Sequence, residues 1–337
     1  MRSVRAAALA IVVALAATWA AAGIAPGSSS RHCRAGATPA TIAGKHVCLR
    51  PGARCTKSRD RTYHRYRFHC HSGRLTRFPT APQPAAPPTL PEPPAPAGQL
   101  VDVGGYRLHL ECVGTAAPTV VLEAGATATR NGGRKVQYAL SSESRVCSYD
   151  RPGTTGGGTS ASDPRPTGVA PTSETFAREL RTMLVNANVP GPYVLAGSSF
   201  GGLLISTFTA RYPDSVAGLV FLDASAPGSA EALLRLGGLL EPWEGSGDLD
   251  RLRALSFGAR PVVVVATQTP GEVPDLRRRS TNILVAEAPQ YSHFVVLDTP
   301  GLAYEAIRVA VTAVRAGQAL PPCAQTPLAR IVRRCTP

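Results

Sequence analysis

The pentapeptide Gly197-Ser198-Ser199-Phe200-Gly201 lies between an apolar run, Tyr193-Val194-Leu195-Ala196, and a helix-forming one that begins Leu203-Leu204-Ile205. A strand that passes into a helix through a single serine needs a very sharp turn. Side chains two residues before and two after that serine would collide, so both places call for glycine. Gly197 and Gly201 satisfy this for Ser199, whereas choosing Ser198 would put Phe200 at the second place. Gly-x-Ser-x-Gly turns up by chance in a chain with 32 glycines. The weight therefore rests on the strand before it and the helix after it, and Ser199 is the candidate nucleophile.

The surrounding sequence alternates β-rich runs with helical patterns. Residues 106–113, 119–123, 145–149, 193–196, 218–222, 261–266 and 283–287 read as strands, several of them unbroken Val/Ile/Leu runs of the kind covered on both faces. Residues 172–185, 203–211 and 303–314 read as helices. Such alternation predicts an α/β fold with a mostly parallel sheet flanked by helices, an architecture that many functions share.

A serine hydroxyl needs a general base within hydrogen-bond reach. Five of the seven histidines fall between Arg31 and Phe78, and His109 sits inside a predicted strand well before the serine. His293, in Tyr291-Ser292-His293-Phe294 between the last predicted strand and the last helix, is the one that remains downstream. The glycine run 153–158 lacks the Gly-Lys-Ser/Thr ending of a phosphate loop, and is better explained as a loop at the mouth of a site.

With these residues in place, 99–315 resembles the α/β-hydrolase fold family of serine esterases and lipases. The resemblance rests on Val120-Val121-Leu122-Glu123-Ala124-Gly125, Tyr149-Asp150-Arg151-Pro152-Gly153, Gly197 to Gly202, Gly218-Leu219-Val220-Phe221-Leu222-Asp223 and Ser292-His293-Phe294. It implies a triad in the chain order Ser, acid, His, which suits Ser199 and His293. It also implies an oxyanion hole from the backbone N–H of Phe200 and that of Ala126 or its neighbour Thr127. The loop after residues 119–123 begins Glu123-Ala124-Gly125 where many relatives have His-Gly. No Gly-x-x-Asp follows 261–265, so the acid stays open between Glu272, placed first, Asp223 and Asp275. The family's strand order sets the second strand beside the fourth, which makes a Cys112–Cys147 disulfide feasible. Cys323 and Cys335 are expected to close a loop after the last helix. Residues 225–258 are the one segment available as a cap, and Leu233, Leu234, Leu236, Leu239, Leu240 and Trp243 make it apolar. It reads equally as ordinary packing on the sheet or as a lid favouring an acyl or hydrophobic ester.

The N-terminal part is a different kind of chain. Arg2 and Arg5, the apolar stretch 6–17 and Ala20-Ala21-Ala22 predict a signal peptide over residues 1–25, with an uncleaved anchor as the alternative. Export makes the eight cysteines an expected set of disulfides. With no C-x-x-C spacing, no metal site and no cofactor is expected. Of the net charge of +14, most sits in 31–78, where twelve Lys or Arg face the single Asp60. This module is too small to fold by burial alone, so Cys33, Cys48, Cys55 and Cys70 are its expected staples, with three pairings open. Residues 79–98 are Pro/Ala-rich and read as an extended spacer ahead of a hydrolase domain over 99–337.

The function expected is that of a secreted serine hydrolase acting on small-molecule esters or acyl compounds. The basic module suits an anionic cell-wall or membrane surface, and export argues against nucleic acid as its partner. The alternative is a degenerate hydrolase fold that binds without chemistry and is held at the surface by that module. Absence of a clear acid favours it; the presence of both Ser199 and His293 favours the enzyme.

Overall fold

In the five central strands, apolar residues point alternately to the two faces, and both faces are covered. Val121, Leu195, Leu219, Phe221, Val262, Val264 and Val285 belong to one core cluster. Their immediate neighbours Val120, Val194, Val220, Val263 and Leu284 belong to another on the opposite face. That two-sided burial is why these runs lack the in/out alternation of a half-exposed strand.

The computed structural model describes residues 33–78, 83–154, 160–169, 171–235 and 248–337. The expected signal peptide at 1–25, part of the expected spacer, most of the glycine run and Leu236, Leu239, Leu240 and Trp243 of the expected cap lie outside the described residues. The chain divides into two compact units at Gln83/Pro84.

In the first unit, β1 (Thr38–Ile42) pairs with β2 (Lys45–Leu49), and β3 (Phe68–His71) with β4 (Arg74–Arg77), both antiparallel. Each hairpin turns on two residues of positive φ, Ala43-Gly44 and Ser72-Gly73, the pattern of a tight primed turn. Helix α1 (Asp60–His64) lies between the hairpins in sequence, and Asp60 accepts the Cys70 N–H at 2.6 Å. Disulfides Cys33–Cys48 and Cys55–Cys70 resolve the three open pairings. They staple a core of a few side chains, chiefly Ile42, Leu49, Tyr63, Phe68 and Leu75.

The second unit has a nine-stranded sheet in the order β13-β12-β11-β10-β9-β7-β8-β6-β5. Its strands are β5 (Gln99–Asp102), β6 (Arg107–Val113), β7 (Thr119–Glu123), β8 (Val146–Tyr149), β9 (Tyr193–Ser198), β10 (Val216–Leu222), β11 (Val262–Ala266), β12 (Ile283–Glu287) and β13 (Arg334–Thr336). Strands β8-β7-β9-β10-β11-β12 are parallel, with antiparallel neighbours at both edges. Helices are α2 (Arg134–Leu140), α3 (Ser173–Asn186), α4 (Gly201–Arg211), α5 (Ala230–Arg235), α6 (Leu249–Ala254), α7 (Val273–Arg279), α8 (Val295–Asp298), α9 (Pro300–Ala316) and α10 (Leu328–Ile331). Side chains of α3 and α4 cover one face of the sheet, and those of α2 and α9 the other.

Cys112 on β6 stands opposite Cys147 on β8 and is bonded to it. Closing a 35-residue separation in the unfolded chain favours folding by about 3 to 4 kcal/mol. The double variant C112S/C147S is accordingly expected to unfold at lower urea, by about that free energy, with the m-value read alongside. Cys323–Cys335 does more than close a loop, because Cys335 lies on β13, which pairs with β12.

The described part of the expected extended spacer lies along the second unit. The Ala85 N–H donates to Arg330 O at 2.7 Å, and the Arg134 guanidinium to Pro94 O at 2.8 Å. A Cβ on Gly301 would sit 1.9 Å from Pro88 O, so the chain there runs tight along the N-terminus of α9. Proline has no N–H of its own to give, so the Pro-rich stretch is tied down through its Ala85 N–H and through the Pro94 carbonyl that Arg134 takes up.

Candidate active site

Three backbone outliers mark the C-terminal end of the sheet. Ser199, Asp223 and Thr127 all have positive φ, at 52°, 47° and 60°. They follow β9, β10 and β7, which are neighbours in the sheet. Non-glycine residues held in this region cost of order 1–3 kcal/mol each and cluster where geometry is imposed for a purpose.

Ser199 stands at the elbow between β9 and α4. A Cβ on Gly197 would lie 2.6 Å from the Gly201 backbone, and one on Gly201 would lie 2.5 Å from Glu123 O. Glycine at 201 thus serves the turn and also lets the loop after β7 press against it.

His293 Nε2 is hydrogen-bonded to Ser199 Oγ at 2.9 Å, and its Nδ1 to Asp223 Oδ2 at 2.7 Å. The ring is held by the loop that carries it. Thr267 Oγ1 donates to Ser292 O at 3.0 Å, and Gln268 Nε2 to Tyr291 O at 2.9 Å. The Asp223 side chain is fully buried. Its Oδ1 accepts the N–H groups of Thr267, Gln268 and Thr269 at 2.6, 2.9 and 3.0 Å, and the Thr269 hydroxyl at 2.8 Å. Burial alone would push this carboxyl up. The bonds from His293, Thr267 and Thr269 outweigh that and hold its pKa at about 2, against an ordinary 3.8.

A depressed carboxyl pKa stabilises the fold at every pH above the unfolded value, and that contribution disappears as pH falls through the folded value. For Asp223 the window is pH 4 to 2, and the effect about 2 kcal/mol. Urea melts at pH 5 and pH 2.5 should therefore show a fall in stability, and that fall should be smaller by about this amount in Asp223→Asn.

Placing Glu272 first as the triad acid is corrected by this geometry, and so is Asp275. The Glu272 carboxylate accepts the Ala226 N–H at 3.0 Å and the Ser229 hydroxyl at 2.6 Å. Asp275 accepts the Gly228 N–H at 2.9 Å and is paired with Arg279 at 2.8 Å. Both anchor the base of the cap. The loop after β11, where an acid was sought, instead supplies the donors that hold the acid at the end of β10. Thr267 and Thr269 were missed as site residues, and the donor-rich run Thr267-Gln268-Thr269 was the signal that could have found them.

The other candidates lie close by. Phe200 follows the serine, and the loop through Ala126 lies against it, since a Cβ on Gly125 would sit 3.3 Å from Ser199 Cβ. Phe200 is buried with Phe176, Leu203, Leu204, Ala230 and Leu252, and Ala126 and Leu233 pack on that cluster. The described ends of the cap thus lie over the elbow. Phe294, whose ring packs against that of His293 at 5.5 Å, and Leu297 are about 60% exposed. Among the described residues there is no group of three or more His, Cys, Asp or Glu that could hold a metal ion. None of their helices is long and apolar enough to cross a membrane.

Comparison with known proteins agrees with this architecture. Residues 118–259 match the family model described as alpha/beta hydrolase fold. An uncharacterised protein of Schizosaccharomyces pombe is 30% identical over 159 residues, covering 38% of this chain and 28% of that protein. An AB hydrolase superfamily protein of Gibberella zeae is 29% identical over 120 residues, 35% of each chain. The matches thus span about a third or less of those relatives. Among solved structures, a thermophilic esterase from Thermogutta terrifontis superposes with a TM-score of 0.51 at 21% identity, covering 65% of this chain and 99% of that one. The second unit thus has the α/β-hydrolase fold, a mostly parallel sheet flanked by helices.

Proposed function

We propose that this protein is an extracytoplasmic serine hydrolase that cleaves carboxylic esters through an acyl-serine intermediate. The observation that carries the reading is the continuous relay Ser199 Oγ, His293 Nε2, His293 Nδ1, Asp223 Oδ2, at 2.9 and 2.7 Å. Ser199 attacks the ester carbonyl while its proton passes to His293 Nε2. Asp223 keeps the Nδ1 proton facing it and stabilises the imidazolium, and the proton taken up by Nε2 then goes to the leaving alcohol. The backbone N–H groups of Phe200 and Ala126 receive the negative oxygen of the tetrahedral intermediate. Water, activated by the same imidazole, releases the acid and restores Ser199. A binding scaffold without chemistry has no use for a buried carboxylate held by four donors against an imidazole.

The exposed Phe294, whose ring lies beside that of His293, and the exposed Leu297 favour a hydrophobic acyl or aryl group. Four disulfides fit a compartment outside the cytosol. The basic unit serves to hold the enzyme at an anionic surface, with eleven Lys or Arg against one Asp in residues 33–78. Two assays test these statements. A p-nitrophenyl ester series from acetate to decanoate should show turnover that rises with acyl length over the first members, and no turnover by the folded protein contradicts the reading. Binding to anionic vesicles should fall steeply between 50 and 300 mM salt, roughly tenfold or more, if the basic unit acts as stated.

A further inference from the structure

We infer that Arg151 sets the oxyanion hole, by holding the carbonyl that shares a peptide unit with the Ala126 N–H. This rests on the reading of Ser199 as nucleophile and adds a positioning residue to it. Arg151 follows β8 and is only 2% exposed, among the largest fully buried side chains. Its Nη1 donates to Glu123 Oε1 at 2.5 Å and to Ala124 O at 3.0 Å, and its Nη2 to Gly125 O at 2.6 Å. The other oxygen of Glu123 accepts the Tyr149 hydroxyl at 2.5 Å. Burial, with the Glu123 carboxylate beside it, pushes the Tyr149 phenol well up, so it stays a donor.

A buried Arg–Glu pair is a poor way to gain stability, because desolvating both ions offsets most of their attraction. Its value here is geometric. In a trans peptide unit the C=O and the N–H point in opposite directions. A guanidinium that fixes the Gly125 carbonyl therefore aims the Ala126 N–H the other way. The Gly125 backbone faces the nucleophile, its Cβ position being 3.3 Å from Ser199 Cβ and 3.9 Å from Ser199 Oγ. Holding Ala124 O fixes the preceding unit as well, so two successive peptide planes are set by one planar fork. The Ala128 N–H closes the turn onto the same Gly125 carbonyl at 3.2 Å, with Thr127 at φ 60°. This loop has no His-Gly start, and Arg151 with Glu123 supplies support from behind.

Lysine keeps the charge but has no planar fork to bind two carbonyls and a carboxylate together. The test compares wild type with Arg151→Lys and Glu123→Gln, each checked for a cooperative melt, using a p-nitrophenyl ester and a trifluoromethyl ketone that forms a tetrahedral oxyanion adduct on serine. In Arg151→Lys, kcat should fall about 10- to 100-fold with KM changed less than about threefold. Ketone affinity should fall by the same factor as kcat/KM, and the midpoint of the pH–rate profile should stay in place. Glu123→Gln, which weakens the anchor of Arg151, should move both readouts in the same direction by less, and it decides the matter if Arg151→Lys does not fold. An active wild type with folded variants that keep kcat, or that lose kcat without losing ketone affinity, overturns the role of Arg151 alone. A folded wild type that neither hydrolyses the ester nor binds the ketone overturns the nucleophile reading beneath it.

Discussion

Ser199→Ala should lower kcat on a p-nitrophenyl ester by roughly a million-fold, leaving only what the oxyanion donors and bound geometry contribute over water. KM should change little, because Ser199 Oγ contributes to the reaction more than to ground-state binding. Its partner His293 acts only through it, at 2.9 Å. Adding His293→Ala to Ser199→Ala should therefore cost almost nothing more, the signature of residues that work as one unit. Stability should stay close to wild type. The hydroxyl is at the surface end of the elbow, and the strained backbone at φ 52° is imposed by Gly197 and Gly201 rather than by the side chain. A Ser199→Ala variant that retains more than a few per cent of activity would mean that another group attacks the ester.

Asp223→Asn should lower kcat by about 10⁴-fold, and Glu272→Gln by less than about threefold. The two differ in what their carboxylates touch. Asp223 accepts from His293 Nδ1 at 2.7 Å, and an amide in its place can present its N–H₂ to the ring and invert the tautomer, so that Nε2 carries the proton and cannot take one from Ser199. Glu272 is engaged by Ser229 and Ala226 at the base of the cap, and its loss should appear in stability or in KM for bulky esters. With its pKa near 2, Asp223 remains ionised throughout the neutral range. Equal losses in the two variants would contradict this assignment.

Ser199 and His293 were legible because each leaves a local trace: glycines at fixed offsets in one case, a lone downstream histidine in the other. Asp223 left none. It is one of several carboxylates at the ends of predicted elements, and what selects it is a set of three backbone donors contributed 44 to 46 residues later. Backbone N–H groups carry no sequence signature of their own, so the Thr267-Gln268-Thr269 run points to Asp223 only once the loop after β11 is seen to fold over β10. The central strands were readable from their apolar runs. The edge strands β5 and β13 are four and three residues long, too short for a pattern, and β13 owes its place to pairing with β12 and the Cys323–Cys335 bond. Residues 79–98 read as an extended spacer, and nothing in a Pro/Ala composition reveals that Arg134 and Arg330 in the folded domain offer partners to its backbone. Arg151 was visible only as part of a family-like motif, since a buried guanidinium reveals its purpose through the carbonyls it holds.

The most direct test of the central claim is intact-mass and peptide mapping after reaction with a fluorophosphonate, which forms a stable adduct with an activated serine. The account predicts one adduct per folded molecule, on the peptide containing Ser199, absent from Ser199→Ala and formed far more slowly in Asp223→Asn. Folded wild-type protein that remains unmodified, or an adduct mapped to any other residue, would contradict it.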